Sequence, residues 1–114
     1  MFKTSRNSLL LVLFASVTLL SSVAHAKCSA TACTGKVKRL YQYADRDLLV
    51  TMEGDQRQLN CTLISKVYQK LDHKAPRFKE IHAMLLAAYL AGRPITVRAK
   101  SGGECEVAYV VLDG

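Results

Sequence analysis

The sequence predicts a small, mainly β domain with a single helix, and three observations carry that expectation. Four cysteines in a short chain with an export-type N-terminus point to a disulfide-bonded domain rather than one held by a large core. Runs rich in β-branched and aromatic residues recur between turn signals on both sides of one long apolar segment. That segment, 77–91, has apolar residues at helical spacing and stops at Gly92-Arg93-Pro94.

The N-terminus sets the boundary of the domain. "MFKTSRNS" carries Lys3 and Arg6, "LLLVLFASVTLL" is an apolar run of twelve, and "SSVAHA" ends in Ala24-His25-Ala26. This is the pattern of a secretory signal peptide, 1–26, cleaved after Ala26. The apolar run falls short of the ~20 residues a membrane span needs, so no transmembrane anchor is expected after processing. Acylation at Cys28 is the rival, but Lys27 stands where such a signal wants a small residue. The mature chain, 27–114, has 114 − 26 = 88 residues, room for one domain. Without Lys3 and Arg6 it carries 16 − 2 = 14 basic and 9 acidic residues, a net charge of +5. Location is expected to be secreted or periplasmic.

The elements follow in order. "GKVKRLYQY" (35–43) reads as a strand, "ADRD" as a turn and "LLVTME" (48–53) as the hairpin partner. "GDQRQLNC" has no strong period and reads as a long connection or a short edge strand. In "TLISKVYQKLDH" (62–73), Ile64, Val67, Tyr68 and Leu71 fit a helix, while Val67, Gln69 and Leu71 alternate as a strand. The pattern alone favours helix slightly.

Pro76 then introduces the helix. Phe78, Ile81, Leu85 and Ala88 form one apolar stripe, Met84, Ala87 and Ala91 a second, and Leu86 with Leu90 a third. A helix apolar nearly all round has to be covered on more than one side, which an 88-residue domain does poorly. Leu86, Tyr89 and Leu90 are therefore candidates for a subunit interface. Gly92 is placed as a helix stop, Pro94 blocks resumption, and Arg93 reads as a cation near the helix's negative end. "ITVRAK" (95–100) and "CEVAYVVL" (105–112) close the chain as two strands joined through "SGGE". Taking 62–73 as a strand gives three strands, a helix and two strands. That is the order of a five-stranded OB-fold-like Greek-key barrel with its helix between strands 3 and 4, and a two-layer α+β sheet would give much the same string.

Catalytic and metal chemistry find little support. The cysteine spacings of four, 27 and 43 intervening residues contain no zinc knuckle, so no metal site is expected. No G-x-S-x-G elbow is present, and no cofactor motif. His82 does not share a helix face with Glu80, and its i−3 neighbour, Lys79, is also basic. Asp45, Asp47, Glu53 and Asp55 sit at turn signals, where Asp serves local hydrogen bonds. "SGGE" precedes a strand rather than a helix and lacks the donors of a phosphate loop. Disulfides are the better use of the cysteines, and four allow three pairings.

The basic and aromatic residues are more informative. Arg39, Tyr41 and Tyr43 alternate onto one face of the first strand, Lys36 and Lys38 onto the other, and Arg98 lies on the fourth. Such a set suits single-stranded nucleic acid. Export disfavours that partner and favours a glycan or another anionic envelope or cell-surface ligand.

"ACTGKVKRLY", "NC" followed by "VYQKLD", and "KEIHAMLLAAYLAGRPITVRAKSGGECEVAYVVLD" together resemble a group of small exported bacterial proteins of unassigned function. Their mature chains share a Cys-x-Gly-Lys start, here Cys33 to Lys36, and a helix of the type Tyr/His-x-x-Leu-Leu-x-Ala-x-x-x-Gly, here His82 to Gly92. A last strand led by cysteine, here Cys105, completes the pattern. More distantly the chain is similar to the OB-fold receptor-binding B subunits of bacterial A-B toxins. That resemblance implies a homo-pentameric ring with helices facing a central pore and glycans bound on the barrel surface. It also implies that 66–72 is the third strand, running parallel to the fifth, and so pairs Cys61–Cys105 with Cys28–Cys33. The competing arrangement is Cys33–Cys105 with Cys28–Cys61. The function expected is a non-catalytic, oligomeric binding module for a glycan, and the alternative is a small secreted enzyme inhibitor or an enzyme with a loop-borne site.

Overall fold

The structure, a computed structural model, describes residues 25–114. The expected leader lies outside them apart from His25 and Ala26. The chain is mainly β with one helix, as expected: β1 Lys27–Cys28, β2 Ala32–Gly35, β3 Val37–Gln42, β4 Leu48–Met52, β5 Gln69–Leu71, α1 Phe78–Ala91, β6 Ile95–Ala99 and β7 Val107–Val111. These strands form a four-stranded sheet, β1-β2-β6-β7, and a three-stranded sheet, β3-β4-β5. All pairings within the sheets are antiparallel. Isolated parallel bridges, Thr62 with Glu104 and Lys70 with Glu106, run between the approach to β7 and the region of β5.

The strand expected over 35–43 is β3, Val37–Gln42, and a further strand, β2, precedes it in the other sheet. β2 pairs with β6 and β3 with β4, Lys36 lying between them. The pairing of β3 with β4 also contains a bulge, Val37 facing Met52 and Arg39 facing Thr51, so Lys38 has no partner. Strict alternation would turn Lys38 inward with Leu40. The extra residue resets the pleat, leaving Val37 and Leu40 directed at the core and Lys38 and Arg39 both exposed.

The helix favoured by pattern over 62–73 is not formed. Ile64 pairs instead with Tyr68 across a tight turn whose Ser65 and Lys66 have positive φ, 50° and 67°, which no right-handed helix accommodates. The chain then enters β5, where Gln69 and Leu71 are fully buried while Lys70 stands opposite Leu49 on the outer face. Burial of alternate residues over three positions has decided the conformation.

The helix lies where it was expected. Its stripe of Ile81, Leu85 and Ala88 is buried, with Phe78 and Met84 packed against the same core. Gly92 takes the left-handed conformation, φ 63°, and donates to the Tyr89 carbonyl while Arg93 N–H donates to that of Ala88. These two bonds make a Schellman stop, and the Arg93 guanidinium reaches the Asp113 carbonyl at 3.3 Å. The core beneath the helix is built from Leu48, Val50, Met52, Leu71, Ile95, Val97 and Val107. Two disulfides, Cys28–Cys33 and Cys61–Cys105, join it; this is the pairing the family resemblance implies, and the competing one is not formed. No helix among the described residues is long and apolar enough to cross a membrane.

Candidate functional site

The register of β3-β4-β5 settles which side chains share its outer face. Arg39 lies opposite Thr51, Tyr41 opposite Leu49, and Leu49 opposite Lys70, so these five project to one side. Tyr68, one residue before β5, joins them. Its ring lies 5.9 Å from Tyr41, whose ring in turn lies 6.1 Å from Tyr43, and both contacts are tilted. The Arg39 guanidinium donates to the Tyr68 hydroxyl at 3.2 Å, a bond that raises the guanidinium's already high pKa. Tyr41 and Tyr43 are each about half exposed, 47% and 48%. The outcome is a row of three rings held side by side along a sheet, with a cation at one end.

Beyond Tyr43 the row opens onto a concavity of about 250 Å³. Leu49 and Ile64 line it with apolar surface, Tyr43 and Ser65 belong to its wall, and Asp45, Asp47, Lys70 and Glu104 supply charge. Lys70 is an ion-pair partner of Glu104 at 3.1 Å and of Glu106 at 3.7 Å. The Glu104 hydrogen bond holds the Lys70 ammonium above its ordinary pKa against the burial that lowers it, with Glu106 and Asp47 adding to the effect. A smaller depression of about 110 Å³ lies at the opposite end of the row, between Lys38, Arg39, Thr51 and Val67.

Strained backbone gathers at the same place. The non-glycine residues with positive φ among those described are Arg46 (81°), Ser65 (50°) and Lys66 (67°). Arg46 separates two residues of the concavity, Ser65 is one of its residues, and Lys66 follows. Each costs on the order of 1–3 kcal/mol, and such positions cluster at ligand clamps and switch regions.

Arg39, Tyr41 and Tyr43, expected to act together, are thus brought together. Arg98 is not one of the group: it lies in the other sheet, with Ala32 and Tyr109 as its cross-strand neighbours. Tyr68, Leu49, Lys70 and Glu104 were not singled out from the sequence as site residues, and Asp45 and Asp47 were weighed only as turn carboxylates. The usable signal was the alternation of Tyr68 and Lys70 against Gln69 and Leu71, which the competing helical spacing obscured.

Asp45 and Asp55 do the turn work expected of them, accepting from the backbone N–H of Asp47 and of Arg57. Asp47 does more. Its Oδ1 accepts from the His73 backbone N–H at 2.9 Å and lies 2.6 Å from His73 Nδ1, and Asp72 Oδ1 lies 3.7 Å from the same ring nitrogen. Asp47, Asp72 and His73 have the donor atoms of a metal site. Yet Asp47 Oδ1 is already committed to two His73 donors, the arrangement of a latch between β4 and the loop after β5. A carboxylate on an imidazole is also part of a catalytic triad, but no Ser or Thr hydroxyl among the described residues bonds His73. His82 lies against Phe78 along the helix surface, the ring centroids 5.7 Å apart and the planes tilted by 56°.

No family model matches the chain, and no curated protein or solved structure matches it either. The functional reading therefore rests on the face just described.

Proposed function

We propose that this chain is a non-catalytic, exported carbohydrate-binding module whose site is the outer face of β3-β4-β5. The observation that carries the reading is the Tyr68–Tyr41–Tyr43 row running into the concavity floored by Leu49. Tyrosine presents a flat apolar face to the C–H side of a sugar ring and a hydroxyl to its edge. Carboxylates such as Asp45 and Glu104 accept from sugar hydroxyls. The Arg39–Tyr68 bond and the contacts of Tyr41 with Tyr68 and Tyr43 restrain the row before any ligand arrives, which lowers the conformational entropy lost on binding.

The architecture supports the same reading. We infer that the two sheets are halves of one OB-type barrel, β2 and β3 acting as its bent first strand and the Lys70–Glu106 bridge linking its third and fifth strands in parallel. In barrels of this type the face of strands 2 and 3, with the loops after strands 1 and 4, binds oligosaccharides and oligonucleotides. Here those loops supply Asp45 and Glu104. Two disulfides fit an oxidising, extracytoplasmic compartment, where glycans are the more accessible of the two.

The proposal includes assembly into a homo-oligomer, a pentamer by the resemblance to toxin B subunits. Its support is the helix surface, where Leu86, Tyr89 and Leu90 stay exposed at 40%, 45% and 75%.

The direct test is a glycan array probed with the oxidised protein and with Tyr41→Ala. Binding of a defined glycan set by the wild type, lost in the variant with an unchanged melting temperature, is the expected result. Absence of sugar binding together with tight binding to a secreted hydrolase would establish an inhibitor instead.

A further inference from the structure

The two ends of the tyrosine row differ in charge. At the β3 start, Lys38 and Arg39 border one depression, both exposed and neither with an ion-pair partner among the described residues. The bulge that leaves Lys38 unpaired is what allows two consecutive cations to remain outside the core. At the far end, the larger concavity holds Asp45, Asp47 and Glu104 against one cation, Lys70. Lys70 is engaged by Glu104 and Glu106, and Asp47 is engaged by His73, which leaves Asp45 as a carboxylate with no cationic partner among the described residues. Tyr41, beside Tyr68 and Tyr43, bridges the ends. From Arg39 to Tyr43 is four residues of extended chain, about 13 Å at roughly 3.3 Å per residue.

We propose that this groove binds a zwitterionic oligosaccharide in one orientation, resting on the proposed carbohydrate-binding face: an anionic sugar seats against Lys38 and Arg39, and an ammonium-bearing amino sugar seats in the concavity against Asp45. A ligand with a single kind of charge satisfies one end and leaves the other exposed to a group it does not match. Because a misoriented ligand would set like charges against each other at both ends, the groove reads direction as well as composition. The protein's net positive charge draws any polyanion to its surface, but it confers no requirement for the ammonium.

The experiment uses three tetrasaccharide probes on the full oxidised protein at about 0.15 M salt, where long-range attraction between exposed charges is largely screened. N-deacetylated heparosan alternates glucuronate with free glucosamine and is zwitterionic; its N-acetylated parent is anionic only; a chitosan tetramer is cationic only. The zwitterion is expected to bind about tenfold more tightly than either control, the effect of one additional charge-assisted contact. Lys38→Gln with Arg39→Gln should remove the zwitterion's advantage over the chitosan tetramer. Asp45→Asn retains the oxygen that accepts from Asp47 N–H, so the turn persists. It should reduce the zwitterion to the level of the anionic control. Equal binding of the zwitterion and the better control, or a preference that survives both variants, overturns the inference and leaves carbohydrate binding intact. Binding of none of the three overturns it as well, whereas the glycan array and Tyr41→Ala decide the carbohydrate reading separately.

Discussion

Asp47 holds His73 at two points, its Oδ1 lying 2.9 Å from the backbone nitrogen and 2.6 Å from Nδ1. The contact spans 26 residues of sequence and fastens the loop after β5 to the start of β4. Burial by itself would raise the Asp47 pKa; the His73 backbone and side-chain bonds, with the charges of His73 and Lys70, outweigh it and hold the carboxyl below its ordinary value. A carboxylate acceptor and N–H donors are the pairing such a short contact requires, which puts the proton on Nδ1.

A pH dependence of stability follows. A carboxyl whose pKa is lower in the folded state contributes stability that is fully present above its unfolded pKa, about 3.9, and is lost as pH falls through the folded value. Asp47→Asn should cost about 1–3 kcal/mol at neutral pH, the range for a hydrogen bond to a charged group in a largely buried setting. The variant should also lose less stability than wild type between neutral pH and pH 3. Urea midpoints at pH 7 and pH 3 check both statements, and parallel acid limbs would show that another carboxylate is responsible.

The strained turn makes a prediction of opposite sign. Lys66 adopts φ 67° with an exposed side chain, so a glycine there removes a steric cost of about 1–2 kcal/mol, partly offset by the greater freedom glycine gives the unfolded chain. Lys66→Gly should stabilise the fold by about 1 kcal/mol, raising Tm by roughly 4–8 °C for a domain of this size. A lower Tm would mean that the Lys66 side chain contributes contacts exceeding its strain. If the strain serves to hold Ser65 and Ile64 against the concavity, the stabilised variant binds sugar more weakly, which the same preparation can measure.

The two disulfides should differ in their contributions. Cys61–Cys105 closes a separation of 44 residues and Cys28–Cys33 one of 5. Loop-closure entropy assigns them about 4 and about 2 kcal/mol respectively. Replacing each pair by serine and comparing urea midpoints tests the ranking. The longer bridge also fixes Thr62 beside Glu104, so its loss should weaken ligand binding more than loss of the shorter one.

What was legible in the sequence, and what was not, follows the range of the interactions involved. The helix and its stop were legible because Ile81, Leu85 and Ala88 repeat at helical spacing and Gly92 precedes Arg-Pro, all local features. β5 was legible only as one of two readings: Val67, Gln69 and Leu71 alternate as a strand, but a buried Gln69 carries no hydrophobic signal to outweigh the helical spacing. Its amide nitrogen finds a partner thirteen residues away, Gln56, whose Oε1 accepts from Gln69 Nε2 at 3.0 Å, while Gln69 Oε1 is buried with no hydrogen-bond partner among the described residues. The tyrosine row was half legible: Arg39, Tyr41 and Tyr43 follow from alternation along one strand, whereas Tyr68 reaches them only through the register of β4 with β5. The concavity combines residues from four stretches of chain, 43–49, 64–65, 70 and 104. Asp45 and Asp47 each looked sufficiently explained as turn residues, so nothing local marked them.

The last prediction concerns the helix, where neighbouring leucines should respond differently to the same substitution. Leu85 is fully buried, and a lysine there would bring a charge into the core, so Leu85→Lys should abolish folding. Leu90 is 75% and Leu86 40% exposed in the isolated chain, so a lysine at either position meets water and the monomer should fold with near-normal stability. In a ring whose helices pack on one another, the same two positions become buried. There Leu86→Lys and Leu90→Lys should each dissociate the assembly, since an unpaired charge in an apolar contact is among the most costly of single changes. Light scattering of the wild type and both variants reads this directly. A wild-type oligomer that becomes a folded monomer in the variants assigns this surface to assembly; a wild-type monomer, with variants of unchanged mass, shows that these leucines are tolerated in water and that the binding face acts one chain at a time.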